Sequence, residues 1–157
     1  MLGSEDSMKK ILFVCHGNIC RSPMAEFVMK DLIRRAGREK EFVIASAATS
    51  TEELGNPVYP PARAELMRHG LSADGKYAVR LTREDYGRYD LLIGMDDANI
   101  ANMLRLFGGD PDGKICKLLS FAGDDRNVAD PWYTGRFDVT YRDVLTGCES
   151  LLKHFRR

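Results

Sequence analysis

The stretch Lys9-Lys10-Ile11-Leu12-Phe13-Val14-Cys15-His16-Gly17-Asn18-Ile19-Cys20-Arg21-Ser22-Pro23 decides how the rest of the chain is read. Its first part is a short apolar run, which reads as a parallel strand buried on both faces. Its last part opens a helix. Ser22 is a good N-cap and Pro23 suits the first helical position, after which Met24, Phe27, Val28, Leu32 and Ile33 recur at helical spacing up to Gly37. The residues between form a strand-to-helix turn, where unpaired backbone N–H groups meet the positive end of a helix dipole and make an anion site. Gly17 permits a tight bend, and Asn18 tolerates left-handed backbone. Such a loop cradles a phosphate-sized dianion, and the planar fork of Arg21 matches two phosphoryl oxygens at once.

Working outward, residues 42–48 read as a second strand, and Pro60-Pro61 opens a helix through Ala64, Leu66 and Met67 that Gly70 ends. Residues 77–79 are open to a further strand. A helical turn is expected at 82–87 and a strand at 89–95, followed by a helix that Asp96 caps and that carries Ile100, Met103, Leu104 and Phe107 to Gly108-Gly109. A last strand at 115–119 leads into a polar loop at 123–135. Phe137, Tyr141, Val144, Leu145, Cys148, Leu151, Leu152 and Phe155 then trace one face of a closing helix. Strands and helices alternate, so the expected fold is a parallel sheet covered on both faces, with its ligand beyond the carboxyl end of the first strand.

The 157 residues suit one domain, expected over 9–157, with residues 1–8 as a flexible tail and Met8 as a candidate natural start. Lys plus Arg and Asp plus Glu number 23 each, so no overall basic field attracts nucleic acid. No stretch has the roughly 20 apolar residues of a membrane span, and a signal peptide is not evident, so the expected location is cytoplasmic. The four cysteines are too few and scattered for a secreted disulfide scaffold.

Cys15 sits at the mouth of the anion loop, where the same field favours a thiolate. A thiolate under a bound phosphoryl group is a nucleophile aimed at phosphorus, and Ser22 can hydrogen-bond that sulfur when it leaves. A metal on Cys15, His16 and Cys20 is disfavoured, because their spacing falls outside the usual zinc patterns. Cys20 alone also suits a small buried hydrophobe. For a general acid, residue types leave Asp124, Asp125 and Asp130 equally open.

Cys15-His16-Gly17-Asn18-Ile19-Cys20-Arg21-Ser22-Pro23 near the N-terminus, with Asp130-Pro131-Trp132-Tyr133 before the last helix, resembles the low-molecular-weight protein tyrosine phosphatase family in its bacterial type. Ser46-Ala47-Ala48, Gly55-Asn56-Pro57-Val58, Leu81-Thr82, Asp90 and Met95-Asp96 with Asn99 extend the likeness over nearly the whole chain. The Cys-x5-Arg-Ser pattern is shared by unrelated phosphatases; its early position and the distant Asp-Pro make the match specific. The resemblance implies a three-layer α/β fold around a four-stranded parallel sheet of order 2-1-3-4. It implies hydrolysis of phosphotyrosine through a phosphocysteine on Cys15, with Arg21 binding phosphate, Asp130 as the acid, and no metal or organic cofactor. His16, Gly17, Asn18, Ile19, Cys20 and Ser22 are implied as phosphate-binding and loop-supporting residues, and Trp132 and Tyr133 as aromatic pocket walls.

Glu52 stands on the opposite wall, where the family often has an aromatic or histidine, so the expected entrance is more acidic and disfavours strongly acidic phosphopeptides. Animal members carry histidine at the position of Lys76 and arginine at that of Val79, so the bracing of Asn18 is expected to differ. Cys20 is an implied redox partner, trapping an oxidised Cys15 as a disulfide. Implied partners are a phosphotyrosine protein, including a bacterial tyrosine kinase by family analogy, and phosphate or sulfate in the loop; none is nucleic acid or membrane. Three alternatives share the motif. An arsenate reductase needs relay cysteines near residues 80–95, where this chain has none, and a phosphoarginine phosphatase carries threonine at the position of Ile19. A non-catalytic phosphate-binding module would require a lost catalytic group, whereas Cys15, Arg21 and Asp130 are all present.

Overall fold

The computed structural model describes residues 8–156, so all of the expected tail except Met8 lies outside the described residues. The strands are β1 (Lys9–Cys15), β2 (Phe42–Ala48), β3 (Leu91–Gly94) and β4 (Ile115–Lys117). The helices are α1 (Arg21–Arg35), α2 (Pro60–Arg68), α3 (Asp85–Arg88), α4 (Asp97–Phe107), α5 (Pro131–Thr134) and α6 (Phe137–His154). β1 is buried from Ile11 to Cys15, as its unbroken apolar run requires, because it has parallel neighbours on both sides. β2 pairs with it from Lys9↔Phe42 to Cys15↔Ala48, and β3 from Ile11↔Leu91 to Val14↔Gly94. β4 adds beyond β3, giving the expected order β2-β1-β3-β4.

The alternation of side chains along β1 divides the core into two halves. Ile11 and Phe13 face α1, α2 and α6, packing with Met24, Val28, Leu66, Val144 and Leu151. Leu12 and Val14 face the other way, onto Leu81, Leu92 and Met103, with Tyr86 and Phe107 closing the edge. Each fully buried side chain of this size contributes about 1.5–3 kcal/mol. Three layers result, and β1 lies in the middle of the central one. Its carboxyl end, with Cys15, is thereby held on both sides.

Several boundaries differ from expectation. Helix α1 starts at Arg21, one residue before the expected cap, and the residue at the cap position, Cys20, makes no side-chain cap bond. Ser22 lies inside the first turn because its hydroxyl is used by the loop instead. Residues 77–80 form no strand; two isolated bridges, Pro57↔Tyr77 and Ala48↔Arg80, tie them down. The short helix falls at 85–88, with Thr82 N–H donating to the Asp85 carboxylate ahead of it. β4 ends at Lys117, and the apolar Leu118 and Leu119 turn inward on a 3₁₀ turn, Leu118–Ala122, packed under α6. Asp96 caps α4 as expected, in a reciprocal capping box with Asn99, and Gly108 ends it at φ 74°.

Candidate active site

The loop between β1 and α1 turns through Asn18, whose φ of 58° is the one positive value outside glycine among the described residues. Gly17 lies in the bend of the loop, as expected, and meets a second need: a Cβ there would come within 3.3 Å of Glu53 Cγ, so the position keeps room for the facing wall. Asn18 is itself almost fully buried and fixed at both ends. Val79 N–H donates to its Oδ1 (3.1 Å), which turns its amide hydrogens toward Ser22 Oγ (2.7 Å) and Ser46 Oγ (2.9 Å). Ser22 Oγ already accepts from Asn18, so its own hydrogen is available for Cys15 Sγ, 2.9 Å away. Ser22 N–H also points at that sulfur, at 3.4 Å.

Behind this chain lies a buried charge cluster. Ser46 Oγ donates to Glu26 Oε1 (2.5 Å), and Glu26 pairs with Lys30 (2.6 Å) and Lys76 (3.7 Å). Lys76 Nζ also donates to the Ser46 carbonyl at 3.0 Å. Burial pushes the Lys76 ammonium below its ordinary value, and Glu26 offsets this only in part. The departure at Lys76 therefore keeps Asn18 braced through Ser46, while the position of Val79 contributes its backbone N–H.

Arg21, the first residue of α1, is 2% exposed. Its Nη1 donates to Asp96 (2.7 Å) and to the Val128 carbonyl (2.9 Å), and its Nη2 reaches Asp130 at 3.4 Å. Burial works against the charge, but Cys15, Asp96 and Asp130 outweigh it and hold the guanidinium above its ordinary value. Asp130 caps the short α5 by accepting from Trp132 N–H (3.0 Å), so its carboxylate is anchored beside Arg21. Asp124 and Asp125 are directed elsewhere: Asp124 accepts from Arg126, and the Asp125 carbonyl accepts from Lys117.

Cys15, His16, Gly17, Ile19, Cys20, Arg21, Glu52, Glu53, Asp130, Trp132 and Tyr133 enclose one cleft of about 160 Å³. The structure thus gathers the expected residues, with Asn18 and Ser22 immediately behind its floor. Trp132 and Tyr133 are exposed, Trp132 leaning on Tyr59 with ring centroids 4.9 Å apart. Opposite, Glu52 bonds His16 Nε2 at 2.5 Å, which places His16 on the rim. Cys20 is buried, and burial, then the charges of Cys15 and Asp130, push its thiol up to about 12. Among the described residues no three His, Cys, Asp or Glu side chains converge as metal ligands. A larger cleft of about 650 Å³ between the carboxyl ends of α1 and α6 holds no nucleophile. The sequence does not show Asp96 as the partner of Arg21, nor Ser46 as the partner of Glu26: Asp96 reads as a helix cap and a family landmark, Ser46 as a landmark without a role, and Glu26 lies outside any motif.

A cysteine and an arginine share one anion loop at the end of a central parallel strand, with a carboxylate brought up from a remote loop, an arrangement that suits the binding of a phosphate monoester. The family model described as low molecular weight phosphotyrosine protein phosphatase matches residues 10–157, and the chain belongs to that family. It is 37% identical to the low molecular weight protein-tyrosine-phosphatase YfkJ of Bacillus subtilis over 96% of this chain and 97% of that protein. The crystal structure of YfkJ superposes with a TM-score of 0.92 at 37% identity over 96% of each chain. A low molecular weight protein tyrosine phosphatase from Streptococcus pyogenes superposes at 0.85 with 38% identity, covering 96% of this chain and 95% of that one. In Drosophila melanogaster, low molecular weight phosphotyrosine protein phosphatase 2 is 34% identical over 99% of this chain and 97% of its own.

Proposed function

We propose that this phosphatase hydrolyses phosphotyrosine in proteins through a phosphocysteine on Cys15. In the first step the Cys15 thiolate attacks phosphorus, the S–P bond forms and the P–O bond to tyrosine breaks. Asp130 gives its proton to the departing phenolate, and Arg21 with the loop N–H groups stabilises the charge on the phosphoryl oxygens. In the second step water attacks phosphorus, Asp130 takes its proton, and the S–P bond breaks to return thiolate and inorganic phosphate. The observation that carries this reading is the directed chain from Asn18 through Ser22 to Cys15. With both Asn18 amide hydrogens committed, the Ser22 O–H is left to stabilise sulfur both as nucleophile and as leaving group. Trp132 and Tyr133 suit a flat phenyl ring between them and the Glu52 wall, and Glu52 with Glu53 makes strongly acidic flanking sequences unfavourable. The expected compartment is the cytoplasm, because the nucleophile must stay reduced; a tyrosine kinase is a fitting substrate there. Under oxidation, Cys20, which lines the same cleft, would trap a Cys15 sulfenic acid as a disulfide with loss of water.

The test is phosphate release from a phosphotyrosine peptide by wild type, Cys15→Ser and Asp130→Asn, with a phosphoarginine peptide run in parallel. Cys15→Ser should abolish release, and Asp130→Asn should lower kcat by roughly 10²–10⁴. Turnover retained by Cys15→Ser, or faster turnover of phosphoarginine than of phosphotyrosine, would refute the proposal.

A further inference from the structure

The acid loop is fastened at a point the reaction itself does not require. Lys117 ends β4 on the carboxyl edge of the sheet, and its side chain is 15% exposed. Its ammonium has three N–H donors, and three acceptors meet them: the Asp125 carbonyl, Asn127 Oδ1 (3.1 Å) and Asp97 Oδ1 (2.9 Å). Asn127 Oδ1 also accepts from Asp97 N–H at 3.1 Å, so the same three groups close on one another. One residue further on, Val128 N–H donates to the Met95 carbonyl (2.9 Å) and the Val128 carbonyl accepts from Arg21. Then Thr140 Oγ1 holds the Ala129 carbonyl at 3.2 Å. Asp130 follows directly. Every residue of the segment 125–129 is therefore tied, Arg126 through a two-pronged bond to Asp143 of α6 (2.9 and 2.8 Å), and the ties at Asp125 and Asn127 both run to Lys117.

We infer that Lys117 is a positioning residue for proton transfer: it fixes the register of the loop that presents Asp130 to the leaving-group oxygen. This rests on the reading of Asp130 as the general acid. Proton transfer needs the donor within about 2.6–3.2 Å of the leaving oxygen, and a shift of about 1 Å transmitted along the loop costs on the order of a hundredfold. Lys117 touches neither the substrate nor Cys15; it acts through Asp125 and Asn127. The chemistry that exposes such a role is the leaving group. Tyrosine leaves as a poor phenolate that needs the proton, whereas a nitrophenolate carries its own negative charge well.

The experiment compares kcat/KM, which reports leaving-group departure and not the phosphoenzyme hydrolysis common to both substrates, for a phosphotyrosine peptide and for p-nitrophenyl phosphate in wild type, Lys117→Met and Lys117→Arg, and repeats Lys117→Met in the Asp130→Asn background. Lys117→Met should lower kcat/KM on the peptide about tenfold or more and on the nitrophenyl ester much less, with Lys117→Arg restoring most of the loss. In the Asp130→Asn background the same substitution should have little further effect, since the group it positions is gone. Equal losses on the two substrates would overturn the inference, as would a loss that multiplies with that of Asp130→Asn. Thermal unfolding separates misfolding from mispositioning, and Lys117→Arg covers the case in which Lys117→Met does not fold. If Asp130→Asn alone fails to discriminate between the substrates, Asp130 is not the acid, and the inference falls with the reading on which it rests.

Discussion

Lys76→Met tests whether the charge cluster behind the phosphate loop holds the loop as the geometry requires. The ammonium lies 3.7 Å from Glu26 Oε1, a separation worth about 4 kcal/mol of gross attraction at an effective dielectric constant near 20, before desolvation. Removing one partner of a buried pair costs about 3–5 kcal/mol, because the remaining charge is stranded. Here the loss is smaller, since Lys30 stays on Glu26 Oε2 at 2.6 Å and Ser46 stays on Oε1. We expect Lys76→Met to cost about 2–3 kcal/mol, which for a domain of this size lowers Tm by roughly 5–10 °C. The assay is reversible thermal or urea unfolding of wild type, Lys76→Met, Glu26→Gln and the double variant. The double variant should recover part of the loss, with a coupling of about 0.5–3 kcal/mol. Activity should respond to Lys76→Met as well: without the Lys76 bond to the Ser46 carbonyl, Ser46 holds Asn18 and hence Ser22 less firmly, so the hydrolysis of the phosphoenzyme slows more than its formation. A Lys76→Met protein as stable as wild type, or strictly additive losses, would refute the reasoning, because Glu26 would then be compensated without Lys76.

Other outcomes follow from the same structure. At Gly147, on the buried face of α6, a Cβ would stand 2.9 Å from Leu118 Cδ1, 3.1 Å from Cδ2 and closer still to Cγ. Gly147→Ala gains about 1 kcal/mol of helix propensity but loses about 1–3 kcal/mol to overpacking. It should be net destabilising in urea unfolding, and Leu118→Val should relieve it. Asp96→Ala removes both the cap of α4 and the Arg21 partner, so it should cost about 1 kcal/mol for the cap and raise KM for phosphate esters. Iodoacetamide at neutral pH should alkylate Cys15 first, since burial holds the Cys20 thiol up at about 12 and that of Cys116 at about 11; equal labelling of Cys20 on peptide mapping would contradict this. Burial raises the Glu65 carboxyl, but hydrogen bonds from Arg68 and His69 outweigh it and leave it below the usual range. Its folded value is depressed, so its stabilisation is present above the ordinary value of about 4.3 and is lost as pH falls through the folded value. Glu65→Gln should flatten that acid limb of a stability profile.

The local parts of this structure were legible because neighbouring residues encode them. The apolar run of β1, the spacing along α6 and the Asp96 cap each sit within a few residues of what they determine. The anion loop was legible for the same reason, since Cys15, Asn18, Arg21 and Ser22 share one short segment. Ser22 shows the limit of such reading: its residue type fits an N-cap, yet the structure spends its hydroxyl on Cys15 and leaves the cap position to Cys20. Residues 77–80 are open to a strand in the sequence, but their backbone groups serve Asn18, Ala48, Gly55 and Asn56 singly, so no ladder forms. Glu26, Ser46 and Lys76 come from separate segments and meet only in three dimensions. The family likeness marks Ser46 and Lys76, but not their convergence on Glu26, because no local pattern encodes a partner so far away in sequence.

The bond from Arg21 Nη1 to the Val128 carbonyl joins residues 107 apart. A ribosome that has delivered β1, α1 and β2 has released a chain containing the nucleophile and its loop, but neither the carboxylate that aligns Arg21 nor the segment that closes the cleft. Contacts of such separation also form late during folding, since a large loop must close before they contribute. The reactive sulfur is therefore complete in composition long before it is complete in function. Unfinished or truncated chains carry Cys15 and Arg21 without the Asp96 and Val128 groups that hold Arg21 in place, so the cleft is incomplete until the carboxyl-terminal part has folded.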